Sequence, residues 1–419
     1  MNSRGEGMAS TIRQDVNKLV PDFSSVLNLT APLNDQVAQE RTIQRSSQSG
    51  SAVFDIARAG ETSVKLDSAL VNALGTLNVS AKGLGTDLSD GIAEFEITGG
   101  AADLDTTKVE IIHSGGLSLK SGSTTVDLTD FIITNLGDRA ILTGLVTVNQ
   151  DLVTRAPLFD LKIGDVAVSG DRTRSTLDLE NVAVTLTSEA ANTLNQAFKV
   201  SAFTAGFTVG TAEVEASLRQ PVRGTGHFSG RSAQTPTVPI HGLPQNTVFD
   251  VAARGETEVK LSSALAEALS SLKVDVLGFG RTGLRDGRAE FGITGGAADL
   301  DTTKLELIHG GGLSLKAGKT TVDLTDFIIS NLEGRTVLTG LVTVNGDLVA
   351  RASLFDLTVG GVAASGNAQR AVLDLDKVQV SLASEAATTL NQVFGVQAFA
   401  SGFDVGTAQA EAVLRPLAR

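Results

Sequence analysis

The sequence predicts a mainly β protein built as two tandem homologous antiparallel domains, sandwich-like or barrel-like, each carrying two short helices. Three observations predict it. One module is written twice along the chain, period-two alternation dominates inside each copy, and Gly, Asn and Asp punctuate that alternation every few residues.

The duplication is read by aligning Val53 to Leu218 with Val248 to Leu414, at an offset of 195 that becomes 196 after one inserted position. Three blocks recur unchanged. Ile97 to Lys108 (ITGGAADLDTTK) returns as Ile293 to Lys304, Thr124 to Ile133 (TTVDLTDFII) as Thr320 to Ile329, and Leu142 to Asn149 (LTGLVTVN) as Leu338 to Asn345. The domain plan is therefore an N-terminal arm (1–52), a first module (53–218), a Pro- and Gly-containing linker (219–247) and a second module (248–415). The arm is polar apart from Val20 to Leu33, which has the character of a short strand or docking segment.

Within each module the elements follow in order. Leu66, Ala69, Leu70, Ala73, Leu74 and Leu77 recur at helical spacing, as do Leu261, Ala264, Leu265, Ala268, Leu269 and Leu272, giving one apolar stripe per copy. The Gly99–Gly100 pair reads as a turn or bulge, because no phosphate-loop GK[ST] follows it. In Thr124 to Thr129 the alternation places Val126 and Leu128 inward, with Asp127 and Thr129 toward water. Leu177, Leu179, Val182, Val184 and Leu186 mark further half-buried strands. A second helix is expected to start at Ser188 or Ser384 as N-cap, with Glu189 or Glu385 in its first turn, and to end near Phe198 or Phe394. Helical crossovers are too few for a parallel sheet.

Composition narrows the chemistry. The chain of 419 residues has no Cys, Trp or Tyr, and Phe supplies all 17 aromatic residues. Disulfides, thiolate metal sites, thiol nucleophiles, phenolate ligands and indole platforms are excluded by this inventory. A formal net charge of −13 disfavours nucleic acid as a partner. Met1 to Val20 shows no apolar core of signal-peptide length, and no apolar run is long enough for a helical membrane span.

Three kinds of position invite a functional reading. His113 and His309, in IIHSGG and LIHGGG, have the chemistry to ligate a metal or haem iron or to act as a base, but no second His, Cys or Tyr accompanies either. The plainer reading is a strand-end His bonded to backbone. Asp103 and Asp105, with Asp299 and Asp301, faintly suggest a calcium turn; Ca²⁺ takes about six to eight oxygens, so solvated turn carboxylates are favoured. Arg155 and Arg351, just before LFDL, would suit a carboxylate ligand or pair with Asp160 and Asp356. No G-x-S-x-G elbow and no activated nucleophile presents itself, so no enzymatic activity and no cofactor is expected.

The stretch FEITGGAADLDTTKVEIIHSGGLSLKSGSTTVDLTDFII, with its Gly-Gly turn, its strand ending in His-x-Gly-Gly and its later alternating strand, resembles bacterial secreted β-modules and, distantly, HtaA-type domains of cell-surface haem-uptake proteins. The resemblance covers the central half of each module. It implies an extracellular or cell-surface setting. Haem-binding HtaA domains use a Tyr axial ligand, which this chain does not have. The expected function is a non-enzymatic structural protein that self-associates through its arm or sheet edges. The alternative is a carrier of a small haem-like ligand, held between the sheets or under the Leu66 helix.

Overall fold

The computed structural model describes residues 53–170, 174–224, 248–367 and 370–417. The N-terminal arm, including Val20 to Leu33, and residues 225–247 of the expected linker lie outside the described residues.

In the first module β1 (Val53–Leu66) leads into α1 (Ser68–Thr76), then β2 (Ser80–Leu84) and β3 (Asp87–Ser89). Next come β4 (Ile92–Asp103), β5 (Lys108–His113), β6 (Gly116–Ser121), β7 (Thr124–Asn135) and β8 (Ala140–Val148). The module continues through β9 (Asp151–Lys162), β10 (Asp165–Gly170) and β11 (Arg174–Leu186) to α2 (Ser188–Phe198) and the closing strand β12 (Thr208–Arg219). A two-residue strand, β13 (Arg223–Gly224), then precedes β14 (Val248–Leu261) and α3 (Ser263–Ser271). The second module repeats the order with β15 (Asp275–Phe279), β16 (Gly283–Arg285), β17 (Arg288–Asp299), β18 (Lys304–His309), β19 (Gly312–Ala317) and β20 (Thr320–Ser330). It ends with β21 (Thr336–Val344), β22 (Asp347–Thr358), β23 (Gly361–Asn367), β24 (Arg370–Leu382), α4 (Ser384–Phe394) and β25 (Asp404–Pro416).

All pairings are antiparallel, and each module closes. The strand order β7-β5-β4-β1-β12-β11-β9-β8 returns on itself through the β7–β8 pair, and β20-β18-β17-β14-β25-β24-β22-β21 does the same through β20–β21. Closure removes the long sheet edges an open sandwich would leave. Side chains fill each barrel, with Phe95 against Phe131 and Phe291 against Phe327 edge-on at 5.1 Å between ring centroids. Gly144 makes room for this packing: a Cβ there would meet the Phe131 ring and Leu158 within 3 Å.

The helix boundaries shift slightly from expectation. The N-cap of α2 is Thr187, whose hydroxyl accepts from the Ala190 amide, with Ser188 as the first helical residue. In the second copy Ala383 takes the cap position and supplies no side-chain bond. The segment expected as pure linker also contributes structure, because β13 pairs with β15 and extends the second module's sheet.

The two modules form one compact unit and meet through the outer walls of their barrels. Ile112 and Ile132 pack on Ile308 and Ile328, the same positions from each copy. On one side Leu145 and Leu152 meet Val248, Ala297 and Leu332; on the other Leu341 and Leu348 meet Val53, Ala101 and Leu136. The contact is therefore isologous, with each patch facing its own repeat. Two bulges aim these residues outward. In β7 Val126 and Leu128 face the core, Asp130 adopts φ 50°, and after this register shift Phe131 and Ile133 face the core while Ile132 points away. In β4 the shift falls between Ile97 and Gly99, and at Gly100, just beyond it, φ of 126° and the Glu110 carbonyl leave no space for a Cβ.

Asp127 and Thr129 do not face water. They are 1% and 5% exposed, and the Ser118 hydroxyl donates to Asp127, so the second side of β7 is buried as well as the first. Among the described residues no helix is long and apolar enough to cross a membrane.

Candidate functional site

His113 and His309 end β5 and β18 and point into the barrels. The Thr62 hydroxyl donates to His113 Nε2 at 2.7 Å, and Nδ1–H donates to the Phe131 carbonyl at 3.2 Å. Thr257 and Phe327 hold His309 in the same way at 2.8 and 3.2 Å. Carbonyl acceptance at Nδ1 fixes the neutral tautomer. Burial pushes both imidazoles down to about 4, so they are uncharged at neutral pH. Both nitrogens of each ring are engaged. His113 lines a cavity of about 50 Å³ with Phe95, Phe131 and Leu142, and a similar one in the second barrel is lined by Phe291 and Phe327.

The Asp103 carboxylate closes the β4–β5 turn by accepting from the Asp105 and Thr106 amides, at 3.0 and 3.2 Å. Its other oxygen accepts from the Leu348 amide of the second module at 3.1 Å. Asp299 does the same with Asp301, Thr302 and, across the contact, Leu152. Asp105 and Asp301 are exposed on the turns. Among the described residues no group of three or more His or acidic side chains is placed to hold a metal ion.

Arg155 and Arg351 lie in the contact between the modules. Arg155 Nε donates to both oxygens of Glu306, at 3.0 and 3.1 Å, while Nη1 reaches Thr143. Arg351 grips Glu110 at 3.1 and 3.0 Å and Thr339 correspondingly. The expected surface partners Asp160 and Asp356 pair instead with Arg139 and Arg335. The reason is positional: β9 and β22 turn their arginines toward the other barrel, where Glu110 and Glu306 are almost fully buried and need a cation. Burial opposes the Arg351 charge, but Glu110, Asp326 and Glu306 outweigh it and hold its pKa above the ordinary value.

Asp130 and Asp326 complete each half of the contact. Asp130 Oδ1 accepts from the Gly296 amide of the second module at 3.3 Å. Burial, reinforced by Asp250 and Glu306 and opposed by Arg155, raises Asp130 to about 7; burial with Asp55 and Glu110, opposed by Arg351, does the same for Asp326. Asp55 and Asp250 are also raised by burial, despite their partners Arg219 and Arg415. Lys108 and Lys304 donate across the contact to the Leu348 and Val153 carbonyls. The void beside Asp326 measures about 10 Å³, room for one water and no substrate.

The structure thus brings together Arg155 and Arg351, Asp103 and Asp299 as parts of one module–module contact, and leaves His113 and His309 inside separate barrels. Sequence reasoning missed Glu110, Glu306, Asp130 and Asp326. The available signal was the recurrence of these carboxylates at the same positions of both copies.

No protein-family model and no curated protein matches the chain. Among solved structures, the C-terminal domain of HtaA from Corynebacterium glutamicum is similar at a TM-score of 0.31 and 16% identity, covering 39% of this chain and 99% of that one. The domain-swapped dimer of its H434A variant is similar at 0.27 and 15%, covering 43% and 99%. The likeness to HtaA is weak and distant.

Proposed function

We infer that the chain is a non-enzymatic structural protein of the cell exterior that self-associates. One observation carries this reading: the conspicuous ionisable groups of both modules are spent on fastening one barrel to the other, and among the described residues none converges with a nucleophile on an open cavity. The surface setting follows the resemblance of the repeated stretch to secreted β-modules. Assembly is tested by comparing the full chain with one lacking residues 1–52, using light scattering and electron microscopy at high concentration. Filaments or lattices that vanish on deletion support an assembling arm, and unchanged size and morphology remove it.

The second reading, a carrier of a small apolar ligand, is favoured by a cavity of about 90 Å³ lined by Leu265, Leu269, Leu390, Phe394 and Phe399, where α3 and α4 cover the second barrel. A dry cavity of about 150 Å³ holds benzene. Haem would enter only by displacing the helices. Hemin titration should leave the Soret band unshifted; a shift abolished by His113→Ala with His309→Ala would instead establish histidine ligation.

A further inference from the structure

The contact between the modules has a property that tethered partners do not need. Corresponding positions on the two faces carry the same residue type: Glu110 and Glu306, Ile112 and Ile308, Asp130 and Asp326, Ile132 and Ile328, Leu152 and Leu348, Arg155 and Arg351. Away from this wall and the barrel interiors, where Phe95 and Phe131 also match Phe291 and Phe327, the copies differ, as in α1 (SALVNALGT) against α3 (SALAEALSS), or β2 (SAKGL) against β15 (DVLGF). A face that met only its covalently attached partner would tolerate asymmetric pairs, with acid on one side and base on the other. This face keeps an acid and a base on both sides, so each patch complements itself as well as its repeat.

We propose that this barrel face is a homotypic docking surface for a second copy of the chain, through which modules of different chains pair in the geometry seen within one chain. Arg155 of one copy would then grip Glu110 of another as Arg351 grips Glu110 here. With β13 released from β15, residues 220–247 reach at most about 100 Å when extended, enough to join modules engaged with different neighbours. Pairing that closes gives dimers; pairing that stays open gives chains of barrels. The proposal deepens the self-associating reading and rests on it, but places the contact on the barrel wall instead of the arm or sheet edges.

Charge reversal in one module tests it on the full chain. Glu110→Arg with Arg155→Glu sets like charges against each other within the chain, yet restores opposite charges between two first modules and leaves two second modules already matched. This variant should convert to particles of twice the single-chain mass or larger. Adding Glu306→Arg and Arg351→Glu restores every pair within the chain and should return the mass distribution of the unsubstituted protein. A doubly substituted chain that stays at single-chain mass, or a fourfold chain as associated as the double, overturns the proposal. Should the double variant fail to fold, unsubstituted chains labelled separately with donor and acceptor dyes are unfolded together and refolded at rising concentration. Energy transfer in a species of doubled mass supports pairing between copies, and its absence at every concentration overturns it. The arm is intact in all these chains, so failure here leaves the deletion test of residues 1–52 standing, and the reverse also holds.

Discussion

Asp130 and Asp326 bring together backbone geometry and charge at single positions. Each adopts φ 50°, a conformation Asp tolerates better than most residues, and each bulge carries its carboxyl out of the barrel into the module contact. A carboxyl with a pKa near 7 in the fold and near 3.8 when unfolded keeps its proton longer in the native state. The contribution of these two carboxyls to stability therefore falls as pH rises from about 4 to about 7, and levels off above. Asn preserves both the bulge and the acceptor for the Gly296 amide but cannot ionise. Asp130→Asn with Asp326→Asn should gain stability over the parent chain by on the order of 1.4 kcal/mol per pH unit for each carboxyl across that window, read from urea midpoints at several pH values. A constant difference from pH 4 to 8 would refute the assignment. His113 and His309 work in the opposite sense: lowered to about 4, they contribute stability that is complete above about 6.5 and lost as pH falls toward 4. The ion pairs are a matter of partners. Arg351→Met leaves Glu110 buried without its cation and should cost about 3 to 5 kcal/mol, whereas Arg351→Met with Glu110→Met should recover most of that loss in the same denaturation assay.

At the scale of elements, the duplication provides its own control. Thr187 caps α2 by accepting from Ala190 and donates to the Pro157 carbonyl, while α4 begins at Ala383 with no such bond. Ala383→Thr should raise stability by about 1 kcal/mol, and Thr187→Ala should lower it by a similar amount, measured as shifts in thermal midpoint. No change at either position would mean that packing, not capping, sets these helix starts. The helices were legible in the sequence because their apolar residues recur at a period that strands do not share. The strands were legible in their alternation, but the outer face of β7 was not: alternation distinguishes two sides of a strand without saying whether the second side meets water or another barrel. The irregularity beside Gly99 and Gly100 was legible as a turn or bulge, but the bulge at Asp130, which reverses the alternation of β7 midway, is visible only once register is known. Of the candidate positions, Arg155 and Arg351 were recognisable as seekers of a carboxylate; which carboxylate depended on a contact between residues 151 positions apart in one case and 241 in the other.

For the whole molecule, the three blocks repeated without change supply much of β4, β7 and β8, the strands that build both a barrel interior and the shared wall. Because each barrel completes the burial of the other's Glu, Asp and Ile residues, the two should unfold in one cooperative transition. Scanning calorimetry should show a single peak, and two resolved peaks would mean that the wall contributes little. The short strand β13 has a bearing on how the halves stay together. Arg223 grips Asp323 through paired bonds at 3.1 and 2.6 Å and lies over Phe279 at 5.6 Å, only a few residues after β12 ends at Arg219. A cut made anywhere in residues 225–247 would leave this hook on the N-terminal piece and its eye on the C-terminal piece. The severed protein should migrate as one particle through a sizing column, behaving as a split pair whose halves recognise each other without a continuous backbone.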